Sequence, residues 1–221
     1  MYNRAMPNQT YEIRTCNACG LRYPLPSGSS FGTRCPICMG DTRLILTRSL
    51  LHEHKPDRPI AASPRHYTLL LDNVRSAWNV GSILRTADGL GFGHAYLCGI
   101  TPTPDNEAVT KTSLGAEDSV PWSYHKDAVR LVTGLKKAGW HILGLEETPQ
   151  AQELTHFTAP PPELNTLLLA GNEITGVDPD LLALCDAVYR IPMRGGKKSL
   201  NVAIAFSLAA WSITSKTAEE K

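Results

Sequence analysis

The chain has 221 residues, enough for one ordinary domain and a small extra module. Its 42% hydrophobic and 19% charged residues can build a core, which excludes a disordered chain. The net charge of +1 conceals a split: residues 1–66 hold nine basic and four acidic side chains, the remainder 13 and 17, so the front suits a polyanion, with a solvated arginine-rich surface as the alternative. The opening MYNRAMPNQTYEIR lacks the apolar core of a secretory signal. No apolar run reaches the ~18–20 residues of a membrane span. A cytoplasmic protein with no membrane partner is expected.

Four of the six cysteines form two C-x-x-C pairs, Cys16/Cys19 and Cys35/Cys38, fifteen residues apart. That spacing is the pattern of a four-thiolate zinc ribbon, in which two tight knuckles present four sulfurs to one tetrahedral ion. Four protein ligands leave no open position, so the metal is expected to be structural zinc; iron accepts the same ligands. Two disulfides are the alternative, disfavoured in a chain with no export signal. Arg14, Arg22, Arg34, Arg43 and Arg48 surround the module. They suit a phosphate backbone, but a docking or dimer-stabilising appendage fits equally. Residues 51–66 carry three prolines and no sustained period, which predicts a linker. His52 and His54 within it offer a possible but unneeded metal pair.

From Tyr67 short apolar strands alternate with helical segments. The expected strands are 67–72, 94–98, 140–145, 166–170 and 187–191; the expected helices are 79–90, 126–138, 179–185 and 200–215. Such alternation predicts an α/β fold with a parallel sheet covered on both faces. In the first helix Val80, Ile83, Leu84 and Ala87 form a buried face, Arg85 lies off it, and Asn79 is placed to cap it. An ion pair between Arg85 and Asp88 is the simple structural role for that arginine. Gly81 suits a close backbone approach, and Gly89, Gly91 and Gly93 follow the helix as a C-terminus would, so they are no dinucleotide fingerprint. The stretch 160–162 is a stiff triple proline. Cys98 and Cys185 read as small core residues. The helix from Leu200 is apolar around most of its circumference, which predicts burial, in part against a second subunit.

Four segments occur in order: N-x-G-x-x-x-R-T-A-D (Asn79–Asp88), G-N-E-x-x-G (Gly171–Gly176), I-P-M-R-G (Ile191–Gly195) and S-L-N-V-A (Ser199–Ala203). Together they resemble the signature motifs of the SpoU (TrmH-type) branch of the SPOUT RNA methyltransferases, over about two-thirds of the chain. The resemblance implies a parallel sheet closed by a C-terminal trefoil knot, S-adenosylmethionine as methyl donor, a homodimer, and 2′-O-methylation of a ribose in tRNA or rRNA. By position, Gly171, Ile191 and Leu200 match donor-contacting residues, and Asn79, Arg85, Glu173, Ser199 and Asn201 match the polar active-site set. Arg85 suits an electrostatic role on a phosphate, because its pKa above ~12 makes it a poor base. Glu173 suits orienting Arg85 or a backbone turn. For Ser199 and Asn201 the alternative is helix capping alone. Lys111, Lys197 and Lys198 are further phosphate contacts to consider. A knotted RNA-binding protein without transfer and a base-methylating SPOUT enzyme are the alternative functions. The expected organisation is a zinc-ribbon-like module at 1–50, a linker at 51–66, a SpoU-type domain at 67–215 and a polar tail at 216–221.

Overall fold

Three uninterrupted apolar stretches, Leu69–Leu71, Ile142–Leu143 and Leu167–Ala170, can be satisfied only by strands buried on both faces. The computed structural model describes residues 10–29, 34–49, 66–161 and 163–218. It divides into two units, Met1–Ala61 and Ala62–Lys221. Of the expected linker only His66 is among the described residues; His52, His54, Pro162 and the last three residues of the tail lie outside them.

The first unit is a three-stranded antiparallel sheet of β1 (Thr10–Cys16), β2 (Arg22–Pro26) and β3 (Thr42–Ser49), with β1 in the middle. Two knuckles hang from it. The Gly20 N–H donates to the Cys16 carbonyl (3.1 Å), and the Met39 N–H donates to the Cys35 carbonyl (3.0 Å). Their similar geometry follows from the repeated C-x-x-C, and both Gly20 and Met39 take the left-handed conformation that the turn requires.

The second unit is a seven-stranded parallel sheet. Its strands are β4 (Tyr67–Asp72), β5 (His94–Cys98), β6 (Trp122–His125), β7 (His141–Leu145), β8 (Gln152–Glu153), β9 (Thr166–Ala170) and β10 (Ala187–Arg190), in the order β6-β5-β4-β9-β7-β10-β8. Helices α1 (Ala77–Gly89), α2 (Glu107–Ser113), α3 (Ala116–Ser119) and α6 (Val202–Ala218) share one core with Leu69, Leu71, Leu168 and Ala170. Helices α4 (Ala128–Lys137) and α5 (Pro179–Leu184) cover the other face, with Leu70, Leu167 and Leu169. Consecutive leucines therefore serve opposite layers, as strand alternation demands.

The expected strands and helices are all present, with ends shifted by up to three residues. The sequence signal missed β6, β8, α2 and α3. Helix α2 turns only Val109 and Ser113 inward over seven residues, too little for an apolar period, and β6 (Trp-Ser-Tyr-His) has no apolar run. Gly81 does permit a close approach: a Cβ there would strike Thr112 and the Val109 carbonyl of α2. Cys98 is fully buried and Cys185 partly so, both thiols pushed up to about 12 chiefly by burial. Among the described residues no helix is long and apolar enough to cross a membrane.

Burial decides stability here. Each fully buried leucine stabilises by roughly 1.5–3 kcal/mol, whereas an exposed ion pair such as Arg34–Asp41 contributes about 0–1 kcal/mol. Leu169→Ala is expected to destabilise the protein by about 2–5 kcal/mol in urea unfolding, against less than about 0.5 kcal/mol for an exposed control such as Lys126→Ala.

Candidate active site and candidate metal centre

The sheet runs outward from β4 through β5 to β6 on one side and from β9 through β7 to β10 on the other. Its switch point lies between β4 and β9, and ligands of open α/β sheets bind beyond the strand C-termini at such a point. A cleft of about 360 Å³ opens beyond the strand C-termini on the β9 side of that point, lined by the ends of β7, β9 and β10 and by the segment leading into α6. Gly171, Glu173, Ile191, Ser199, Leu200 and Asn201 all line it, with Glu146, Asn172, Met193 and Lys198.

The loop after β9 is closed on itself. Asn172 and Gly176 exchange backbone hydrogen bonds (3.1 and 3.0 Å), and the Asn172 side chain accepts from the Ile174 and Thr175 N–H groups while donating to the Asn73 carbonyl (2.7 Å). Glu146 accepts from the Val177 N–H (2.7 Å) and fixes the far end of the loop. Gly171 is obligatory: a Cβ there would strike the backbone of Gly176 and Val177.

Glu173 reaches from this loop to the start of α1. Its carboxylate accepts from the Arg75 N–H (2.9 Å), the Ser76 N–H (3.1 Å) and the Asn79 side-chain amide (2.9 Å). Partial burial pulls its pKa upward, but these donors outweigh burial and hold it below the usual carboxylate range. Asn79 in turn accepts from the Asn201 side chain (3.0 Å), whose own oxygen accepts from the Ala203 N–H (2.9 Å). One relay, Asn201 to Asn79 to Glu173, thus ties together the starts of α6 and α1 and the loop after β9.

The hydrogen bonds correct one expectation and choose between the alternatives left open for three other residues. Asn79 does not cap α1; Ser76 does, accepting from the Asn79 N–H (3.3 Å), and Asn79 lies inside the first turn with its side chain in the relay. Glu173 orients the backbone turn, not Arg85. Asn201 does cap α6, but Ser199 does not. It is exposed, three residues before the helix, and makes no side-chain hydrogen bond among the described residues.

Arg85 is not brought into this cleft. Six residues carry it ~9 Å along α1 and about 240° round from Asn79. It lines a separate depression with Ser82, Thr86, Lys111 and Thr112. Among the described residues it pairs with no carboxylate, so the Asp88 ion pair is absent; Lys111 pairs with Glu107 at 3.0 Å on the open surface. Sequence reasoning also missed Asn172 and Glu146, the two side chains that shape the loop. The Asn following Gly171 was a legible turn signal, whereas nothing near Glu146 in the chain announced its role.

The four cysteines form the only thiol or carboxylate cluster of metal-binding geometry among the described residues, their sulfurs all within 4.8 Å of one another. Cys16 to Cys38 measures 3.5 Å and Cys19 to Cys35 3.7 Å, far from bonded disulfides and close to the ~3.8 Å edge of a tetrahedron with 2.3 Å metal–sulfur bonds. Backbone N–H donors from Cys19 and Ala18 help lower the Cys16 thiol to about 6, and those of Cys38 and Ile37 help lower Cys35. Cys19, despite a backbone hydrogen bond from Leu21, is pushed up to about 12 by the neighbouring Cys38 and Cys16 thiols. The set fits a divalent metal bound as thiolates.

Residues 66–211 match the SpoU rRNA Methylase family. The chain belongs to that family. A tRNA (guanosine(18)-2′-O)-methyltransferase of Thermus thermophilus is 33% identical over 138 residues, 62% of this chain and 69% of that one. A putative TrmH family tRNA/rRNA methyltransferase of Staphylococcus aureus is 29% identical, over 67% of this chain and 58% of its own. Among solved structures, an AdoMet-bound rRNA methyltransferase from Sinorhizobium meliloti superposes with a TM-score of 0.62 at 26% identity, covering 66% of this chain and 55% of that one. This SpoU-type unit therefore spans little more than half the length of some of its relatives, and the four-cysteine module lies outside the matched residues.

Gly171→Ala is expected to open the loop and weaken S-adenosylmethionine binding by at least tenfold in calorimetry. Gly195→Ala, whose Cβ meets open space, serves as the tolerant control.

Proposed function

We propose that this protein is an S-adenosylmethionine-dependent RNA methyltransferase that modifies a ribose 2′-hydroxyl in structured RNA, tRNA or rRNA. The observation that carries the reading is the relay Asn201–Asn79–Glu173 at the rim of a donor-sized cleft whose floor is Gly171, Ile191 and Leu200. When bound, S-adenosylmethionine would supply an activated methyl on a sulfonium: the ribose oxygen forms the new C–O bond and releases its proton to water, while the C–S bond breaks and its electron pair stays on S-adenosylhomocysteine. The loop 171–176 and the backbone at Ile191 and Leu200, which line the cleft, would hold the donor. The relay fixes Asn79 and Asn201 at the start of α1 and of α6. Ser199, exposed and without a structural bond, is free to contact the ribose. Lys198 favours the phosphate. Little covalent help is needed, so alignment supplies most of the rate.

Arg85 and Lys111 line one depression, suited to the phosphate next to the reacting ribose. A homodimer explains how that pair serves a cleft it does not line. Ile204, Leu208 and Trp211 on α6 form an exposed apolar stripe, and Trp78 on α1 is 60% exposed. A second copy would bury them, and Arg85 shares the Trp78 side of α1, seven residues on. The arginine would then face the cleft of the partner subunit. The trefoil knot that the family resemblance implies is part of the same reading, as is zinc in the cysteine cluster.

Methyl-labelled S-adenosylmethionine with separate unmodified tRNA and rRNA pools tests the activity. Label should enter one pool as nuclease-resistant dinucleotides. Arg85→Ala should lose at least 100-fold in transfer while donor affinity changes less than threefold. No label in either pool, with the donor bound, would overturn the reading. Trp211→Glu should turn a dimer into a monomer in sedimentation and reduce transfer in parallel.

A further inference from the structure

The sheet of the first unit has two unlike faces. Cross-strand pairing sets which residues share a face, because directly opposed side chains point the same way. Tyr11, Ile13 and Thr15 of β1 pair with Pro26, Pro24 and Arg22 of β2, and with Arg48, Leu46 and Arg43 of β3. A bulge in β3 at Ile45 keeps Arg43 and Leu46 on that same face. The opposite face carries Glu12, Arg14, Cys16, Tyr23 and Leu25. That second face is the packed one, with Cys16 and Leu25 buried and Arg14 held by Glu12 (2.6 Å) and the Thr42 hydroxyl (3.0 Å).

The first face is open. Arg22, Arg43 and Arg48 are all exposed on it, as are Pro24 and Pro26. It carries no acidic residue among those described. Both described carboxylates of the unit are engaged elsewhere: Glu12 pairs with Arg14, and Asp41 pairs with Arg34 at 2.8 Å. The three face arginines have no ion-pair partner among the described residues. Strand geometry puts Arg22 and Arg43 ~10 Å apart across β1 and Arg48 ~13 Å along β3 from Arg43. Tyr11, Ile13 and Leu46, half-buried, fill the middle. Three cations around an aromatic and aliphatic centre complement a phosphate chain whose unpaired bases need a surface to lie on.

We propose that this open sheet face, with Arg22, Arg43 and Arg48 around Tyr11, binds a single-stranded segment of RNA. It is a second RNA contact, separate from the methyl-transfer cleft and outside the matched family region. The arginines hold the backbone, and Tyr11 stacks on a base. Of the reading above, the proposal uses only that the substrate is RNA.

The test uses the full-length, metal-loaded protein and two labelled probes, a 20-nucleotide polyuridine strand and a duplex of equal length. The triple variant Arg22→Gln/Arg43→Gln/Arg48→Gln should bind the strand about 10- to 100-fold more weakly near 150 mM salt, with a salt slope shallower by about 2. The corresponding triple lysine variant should retain most of the affinity. Metal content and S-adenosylmethionine affinity should be unchanged in both, which guards against misfolding. Wild-type strand affinity and slope in the glutamine variant would overturn the proposal, leaving the face to a protein partner. Equal weakening for the duplex would overturn its single-strand part. Affinity is read without transfer, so a protein that binds the strand through this face yet methylates nothing would fail the methyltransferase reading alone.

Discussion

One carboxylate organises the catalytic end of the second unit. Glu173 accepts two backbone N–H groups and one side-chain amide at the start of α1, where the helix presents unsatisfied donors and positive dipole. A neutral side chain could satisfy some of those donors, but only an ionised acceptor draws three of them inward against partial burial. Because the same carboxylate sits on the loop after β9, fixing α1 also fixes the floor of the cleft. The Asn79–Asn201 link extends this to α6, so three segments from distant parts of the sequence share one geometry. Pre-organisation of this kind suits a methyl transfer whose chief requirement is alignment.

The two units reach order by different means. The second has a continuous double-sided core, in which alternate leucines of one strand serve opposite helical layers. The first has few buried apolar side chains, Leu25 and two cysteines among those described, and a module so small needs a staple. Four sulfurs at tetrahedral spacing would provide it with a metal bound.

Much of this was legible in the residues. Apolar runs placed β4, β5 and β9 to the residue, and the periodic face of α1 was found complete, with all four predicted side chains fully buried. The four cysteines cluster, and seven of the eight predicted cleft and polar-site residues come together, six by lining the cleft and Asn79 through its hydrogen bonds. What escaped was of two kinds. Short elements such as α2 and β6 bury too few side chains to leave a period. The reach of a side chain is also invisible in one dimension: Asn79 looked like a cap because nothing local revealed Glu173, 94 residues away, and helical phase put Arg85 off the buried face without showing that it lies away from the cleft.

The packing of Gly171 against Gly176 and Val177 has a bearing on how relatives should be compared. Any side chain at that position collides with main chain, whether or not a donor ever occupies the cleft. A descendant that had abandoned methylation would still be obliged to retain this glycine merely to fold. Ser199 is under no such obligation, since it holds nothing together. Inheritance of the glycine therefore records ancestry, while the fate of the serine records use.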